Sequence, residues 1–382
     1  MFPVFIFKIY SIRNDTLSYI EKIKRLEHVL HFIQHQIITI ESNFSMFKCL
    51  GLNKIEIISE TDLCYFSVLN KKRFKEQKVK AILIAPEYFL SISKFDNIIS
   101  KSEKLELEKK LHELSDKYKN ILMILGSLAS EKQIADKNSL KTLSLKDIMD
   151  QYAKYVNEKK ARGIHSYKSP YEYYKSVTKQ VEISKTKDYF NYLVQNQFDM
   201  YAIRGGGGFS ERVNRYNYNH SQFKLISNKT LGYLAGERIL KYNKIAGYDE
   251  EKDYENQMFV PGSIKQKLFD KTLTLNKIPI LGDKLFTLGI EICFDHANGV
   301  AKKFWPEAPH IHLILSAAVK NNVQNFYVKQ NGFLLHASTM ESEDKIFQLK
   351  SMSFKEVCEF ENKISFHKVT YRIKSSLIFL KI

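Results

Sequence analysis

Cysteine is scarce in this chain of 382 residues: Cys49, Cys64, Cys293 and Cys358 lie far apart, with no CxxC pair among them. That spacing argues against a disulfide framework and for reduced thiols. Long apolar runs are also missing. The stretch Ala81 to Leu90 carries Glu87 inside it and falls well short of the roughly 20 residues a membrane helix needs, so no membrane span is expected. Met1 to Tyr10 is apolar but has no basic leader before it and no small-residue cleavage site after it. It reads as a strand rather than a signal peptide, and the expected location is cytoplasmic.

Acidic residues are in the minority, 42 against 59 lysines and arginines, for a formal charge of +17. Such a surplus raises the local concentration of acidic partners. No basic cluster stands out, however, and no RNA-binding or DNA-binding motif is present. The charge therefore reads as a solvated lysine-rich surface, and nucleic acid is not the expected partner. Internal repeats and low-complexity tracts are absent too. What remains, 44% hydrophobic and 26% charged, is ordinary globular composition with enough apolar residues for one large core or two modest ones.

The elements can be placed from periodicity. Apolar residues at Ile20, Ile23, Leu26, Leu30 and Ile33 predict an amphipathic helix within Asp15 to Ile40, with Asp15 or Thr16 as N-cap. Lys80 to Ala85 is a β-rich apolar run stopped by Pro86, the pattern of a buried parallel strand. A second helix, from about Ser102 to Tyr118, leads to a strand Ile121 to Leu125 ended by Gly126. Strand, helix and strand at this spacing form a βαβ unit, which predicts helices packed on a central sheet.

From about Ser130 to His220 the pattern changes to long polar helices with 11 of the chain's 22 tyrosines and the run Gly205 to Gly208. This segment, residues 130–220, reads as a mostly helical insertion between core segments 1–129 and 221–382. Core character resumes at Phe223 to Ile226, and Leu231 to Ala235 turns through Gly236-Glu237 into Arg238 to Asn243. Phe286 to Ile292, Ile311 to Leu315 and Gly332 to Ala337 read as further strands, with β-like stretches around His367 to Ile373 and Leu377 to Leu380.

Three segments carry chemistry. Cys293 stands where the apolar run Leu288 to Ile292 stops abruptly. A nucleophile at a sharp strand exit presents its sulfur above the sheet edge and offers the next backbone N–H to an oxyanion. On this segment alone a buried inert cysteine is the better explanation. Glu87 interrupts Ile84-Ala85-Pro86-Glu87-Tyr88-Phe89, where an unpaired carboxylate would be expensive to bury. It needs a partner, and a carboxylate in such surroundings suits a general base acting on a thiol. Lys244 closes the hairpin strand, and a lysine held near the thiol can favour thiolate and stabilise an oxyanion. Lys241, three residues earlier, is a rival for that role.

In this order, Pro-Glu-Tyr-Phe, a strand ending in Gly126-Ser127, a hairpin ending in a lysine, Glu255 before Pro261-Gly262, and Gly-Ile-Glu-Ile-Cys-Phe-Asp, the sequence resembles the nitrilase superfamily of carbon-nitrogen hydrolases. The resemblance covers about Ala81 to Ala129 and Phe223 to Ala337. It implies an α/β fold, a four-layer αββα sandwich that dimerises through one face, here with a large helical insertion. It assigns Glu87 as base, Lys244 as triad lysine, Cys293 as nucleophile and Glu255 as a second glutamate. Tyr88, beside the base, and Phe294 and His296, beside the nucleophile, are assigned to substrate contact. The implied substrate is a small amide or nitrile, or a protein amide, hydrolysed without metal or organic cofactor. A rival of another class is a catalytically silent nitrilase-like module that contacts an acidic protein or nucleic acid through its basic insertion.

Two departures stand out. The distance from Glu87 to Lys244 is unusually long because of the insertion, and His296-Ala297-Asn298 replaces the usual continuation after the cysteine segment. Other signals count for little. His310 and His312 alternate on a strand without an accompanying ligand set, so ordinary strand histidines are expected rather than zinc. Arg204 and the glycines after it lack the ending of a phosphate loop and read as a hinge.

Overall fold

The computed structural model describes residues 2–9, 19–42, 69–90, 98–132, 154–164, 166, 224–245, 257–259, 275–366 and 369–382. Two mixed sheets dominate them. The first contains β1 (Phe2–Ile9), β2 (Ala81–Ala85), β3 (Ile98–Ile99), β4 (Ile121–Lys132), β5 (Lys224–Leu234), β6 (Glu237–Asn243), β7 (Gln257–Phe259), β14 (Phe360–Phe366) and β15 (Val369–Leu380). Its order is β14-β15-β1-β2-β4-β5-β6, with β3 beside β4 and β7 beside β5. The second contains β8 (Asn276–Leu281), β9 (Lys284–Ile292), β10 (Ile311–Ser316), β11 (Phe333–Ser338), β12 (Ile346–Lys350) and β13 (Ser353–Glu356), in the order β13-β12-β11-β10-β9-β8. Each sheet has three neighbouring parallel strands, β1, β2 and β4 in one and β9, β10 and β11 in the other, flanked by antiparallel ones.

The expected βαβ unit is present: β2 and β4 pair in parallel, joined through β3 and the helix Lys101–Lys117. That helix starts where Ser100 and Glu103 cap each other's backbone N–H groups, a capping box. Its Leu107, Leu111 and Leu114 share an apolar layer with Ile23, Leu26, Leu30, Ile33 and Ile37 of the helix Tyr19–Ser42, on one face of the first sheet. We call the helix Tyr19–Ser42 α1, Leu69–Glu76 α2 and Lys101–Lys117 α3. The expected N-cap, Asp15 or Thr16, lies outside the described residues.

Strand alternation sends the intervening residues the other way. Val4, Ile6, Ile82, Ile84, Leu122 and Ile124 meet Leu288, Ile290, Leu313, Leu315 and Leu335 of the second sheet in a second apolar layer. Helices, sheet and sheet are thus stacked. Over the outer face of the second sheet lie two short helices, α4 (Phe294–Ala297) and α5 (Val300–Phe304), with Phe326 and Val328. Among the described residues this cover falls short of the full helical layer expected of a four-layer sandwich. Trp305 at the end of α5 rests on Gly289, where a Cβ would lie 2.4 Å from its ring. Only glycine lets the indole seat so close to β9.

Some boundaries differ from the sequence reading. β4 does not end at Gly126 but passes through a bulge between Ile124 and Ser127 and continues to Lys132. The hairpin turn is Ala235-Gly236, one residue earlier than expected, with both residues at positive φ, as a two-residue turn matching strand twist requires. The two β-like tail stretches belong to one strand, β15. The expected insertion does not begin at Ser130, since residues 130–132 still belong to β4; of the rest only residues 154–164 and 166 are described, with a helix over 154–161, and the Gly205 to Gly208 run lies outside the described residues.

Candidate active site

Glu87 follows β2, the central parallel strand, at its C-terminal end. Pro86 cannot donate to the ladder, so pairing stops there and the chain turns. The turn lies directly on the β4 bulge. A Cβ at Gly126 would stand 2.0 Å from the Pro86 carbonyl oxygen, and Gly126 itself has φ +71°. The bulge and the missing side chain together let Glu87 approach β5. Tyr88 follows with φ 60°.

Lys244 reaches the same place through the hairpin. Its N–H donates to the Asn228 carbonyl at 2.8 Å, one step beyond the β5–β6 ladder. The alternation of β6 leaves Lys241 exposed and Lys244 buried. Lys244 Nζ donates to Glu87 Oε1 at 2.9 Å, both side chains being 1% exposed. Asn228 Nδ2 donates to the same oxygen at 3.1 Å, and Ala317 N–H to Oε2 at 3.2 Å. Three donors from three segments therefore orient one carboxylate.

Cys293 ends β9. Its N–H still pairs with Leu315 of β10 at 2.8 Å, but its backbone swings to φ 48°, ψ −102°, and its carbonyl accepts the His296 N–H at 3.0 Å to begin α4. A side chain in that conformation stores on the order of 1–3 kcal/mol of strain. The sharp exit sets the thiol beside Glu87 and Lys244, where it feels both charges. Burial and the neighbouring carboxylate push the thiol well above the ordinary range, against the opposite pull of Lys244. The resting group is a thiol with a carboxylate beside it.

Asp295 and His296 pin the turn from two sides. Asp295, fully buried, accepts the Ile245 N–H at 3.0 Å and the Tyr242 hydroxyl at 2.8 Å. It thereby ties the residues around Lys244 to the cysteine turn. Burial and that carboxylate raise the Tyr242 phenol well above its usual range, so it stays protonated as a donor.

His296 turns inward instead. Its Nδ1 lies 2.9 Å from Glu291 Oε2, and His312 Nε2 lies 2.9 Å from the same oxygen. Glu291 Oε1 accepts the Ala301 N–H at 2.7 Å. Burial alone would raise the Glu291 carboxyl, but His312 and His296 overrule it and hold it at about 2. His312 is held below its usual value by burial, so its imidazole is neutral. One premise of the sequence reading needs correction: His312 does have an accompanying set, since it joins Glu291 and His296 with three ligand atoms within 4.8 Å of one another. His310 stands apart, bonded to Thr287.

No family model matches the sequence, and no curated protein does. Among solved structures the chain is similar to the crystal structure of a glutamine-dependent NAD(+) synthetase from Cytophaga hutchinsonii, at 9% identity and a TM-score of 0.41. The match covers 99% of this chain and 43% of that one, so the chain spans less than half the length of that protein.

Of the residues singled out from sequence, Glu87, Lys244 and Cys293 come together, Tyr88 and Phe294 flank them half-buried, and His296 faces the interior rather than the site. Glu255 lies outside the described residues. Asn228, Ala317, Asp295, Tyr242 and Glu291 were missed. No described helix is long and apolar enough to cross a membrane.

Proposed function

We propose that this chain is a cysteine hydrolase of the nitrilase type, cleaving a non-peptide C–N bond in a small amide or nitrile through a thioester acyl-enzyme. The observation that carries the reading is the buried Lys244–Glu87 pair beside a thiol on a strained strand exit. Pairs of this kind are costly to bury without a function, since desolvation offsets much of their attraction.

For an amide, Cys293 Sγ attacks the carbonyl carbon as Glu87 takes the thiol proton. The oxyanion that develops is stabilised by Lys244. The C–N bond then breaks, with Glu87 returning the proton to the departing nitrogen, and a thioester remains. Water, deprotonated by Glu87, attacks the thioester, the acid leaves and the thiol is restored. Every step uses only groups of this chain and water. In the same reading the inserted segment takes part in choosing the acyl group, and the enzyme acts in the cytosol as a homodimer.

The test is ammonia release from a panel of small amides and nitriles, with Cys293→Ala and Lys241→Met as controls. Turnover that the first substitution abolishes and the second spares supports the proposal. Undiminished turnover in Cys293→Ala ends it.

A further inference from the structure

The Glu291 cluster lies on the outer face of the second sheet, beneath α4 and α5, on the side opposite the apolar layer between the sheets. Glu291 alternates with Ile290 and Ile292 along β9, so its carboxylate points away from that layer while Cys293 begins the turn two residues on. All three side chains of the cluster are 0% exposed. The proposed reaction uses none of them, yet a buried carboxylate needs a reason to remain.

A divalent metal is one candidate reason, and the hydrogen bonds speak against it. His296 Nε2 receives the Asn322 N–H at 3.4 Å, and His312 Nδ1 receives the Tyr327 N–H at 3.3 Å. Each imidazole is thus an acceptor at one nitrogen, which makes it a donor at the other, and the other faces Glu291 in both cases. Coordinating a metal would move each proton to the nitrogen that already faces a backbone N–H, setting donor against donor. Without a metal every polar atom in the set is matched: one carboxylate oxygen takes two imidazole N–H groups, and the second takes the Ala301 N–H.

We infer that Glu291, with His296 and His312, is a positioning network that holds the Cys293 turn in its strained conformation and so keeps the thiol against Glu87. This rests on the hydrolase reading for its purpose, though not for its geometry. His296 belongs to α4, whose first turn closes on the Cys293 carbonyl, so pulling His296 onto Glu291 draws the turn toward the sheet. His312 supplies the second donor from β10, the strand whose Leu315 holds the Cys293 N–H. Asn325 Nδ2 adds a bond to the His296 carbonyl at 2.7 Å. The strain at Cys293 is offset locally by these bonds rather than by the thiol's own contacts. Loss of one donor would let the turn relax and the sulfur move toward solvent.

The test needs no substrate. The pH midpoint for iodoacetamide labelling of Cys293 is measured by mass spectrometry, with exposed Cys358 in the same molecule as the reference thiol. Wild-type Cys293, half-buried beside Glu87, should show a raised midpoint. In Glu291→Gln and His312→Asn the midpoint should fall by roughly a unit or more, as the thiol leaves the carboxylate and gains water. His312→Gln places an amide N–H near the position of the lost Nε2 and should keep the wild-type midpoint. Cooperative urea unfolding establishes that each variant is folded, and should Glu291→Gln not fold, the Asn and Gln variants of His312 decide the matter. Wild-type midpoints in Glu291→Gln and His312→Asn would overturn the proposal. So would one equivalent of divalent metal retained by the purified protein and lost in Glu291→Gln. The hydrolase reading fails separately, through ammonia release by Cys293→Ala.

Discussion

Asp295, two residues after Cys293, accepts the backbone N–H of Ile245, one residue after Lys244. A single carboxylate thereby sets the spacing between the end of the β5–β6 hairpin and the cysteine turn, elements from different sheets. Asp295→Ala leaves the Ile245 N–H and the Tyr242 hydroxyl without their acceptor in the interior. It should lower stability by roughly 2 kcal/mol or more. Turnover should fall by about a hundredfold as Lys244 and Cys293 lose register. Tyr242→Phe should cost about 1 kcal/mol, because two backbone donors still satisfy Asp295. Urea denaturation ranks the two variants, and equal losses would show that the hydroxyl, not the backbone contact, is what matters.

Gly126 is expected to tolerate no side chain. Alanine there meets the Pro86 carbonyl and must also adopt φ +71°. About 2 kcal/mol or more of stability should be lost, and turnover should fall further than stability alone explains, since the displaced group precedes Glu87. Full activity in a folded Gly126→Ala protein would show that the bulge does not position the base.

Cys293→Gly and Cys293→Ala both remove the thiol but differ in strain. The backbone at φ 48°, ψ −102° suits glycine, so the glycine variant should be the more stable by about 1 kcal/mol despite its greater unfolded-state freedom. Thermal melts of the pair decide it. A more stable alanine variant would mean that the turn is not strained.

Turnover and thiol reactivity should separate in Glu87→Gln. The neighbouring carboxylate raises the thiol's titration and Lys244 lowers it, so removing the negative charge moves the midpoint down. Alkylation at pH 7–8 should therefore speed up, while hydrolysis falls by about a hundredfold for want of a base. A midpoint that rises instead would place Cys293 out of reach of both charges.

The carboxyl of Glu291 is held at about 2, below its value in an unfolded chain. A depressed folded-state value contributes stability above the unfolded titration, near 4.3, and loses it as the pH falls toward 2. Wild type should lose stability relative to Glu291→Gln across that window and not above it. Parallel stability curves from pH 5 to pH 2 would contradict the charge assignment.

Much of the framework was legible because its signals are local. The unbroken apolar run up to Ala85 and the stop at Pro86 locate β2, and the Gly236 hairpin locates β6 to within a residue. Register along β6 then separates Lys244 from Lys241, which periodicity alone left open. The anchors of the site were not legible. Asn228 and Ala317 meet Glu87 across 141 and 230 residues, and nothing in their own segments marks them. Glu291 is different. It interrupts an apolar strand as Glu87 does, and the same demand for a partner would have pointed to His296 and His312. β4 was cut short because Gly126 looks like a strand end when it is a bulge.

β1 lies between β2 and β15, so residues 2–9 pair on one side with a strand completed only at residue 380. On a ribosome, the stretch that ends in Cys293 would emerge on the order of ten seconds before that partner is synthesised. Until then the inner edge of β1 stands open. Nascent chains of this protein should consequently depend on a chaperone that shields an exposed strand, and interruption of synthesis between β11 and β15 should yield aggregates rather than a truncated enzyme.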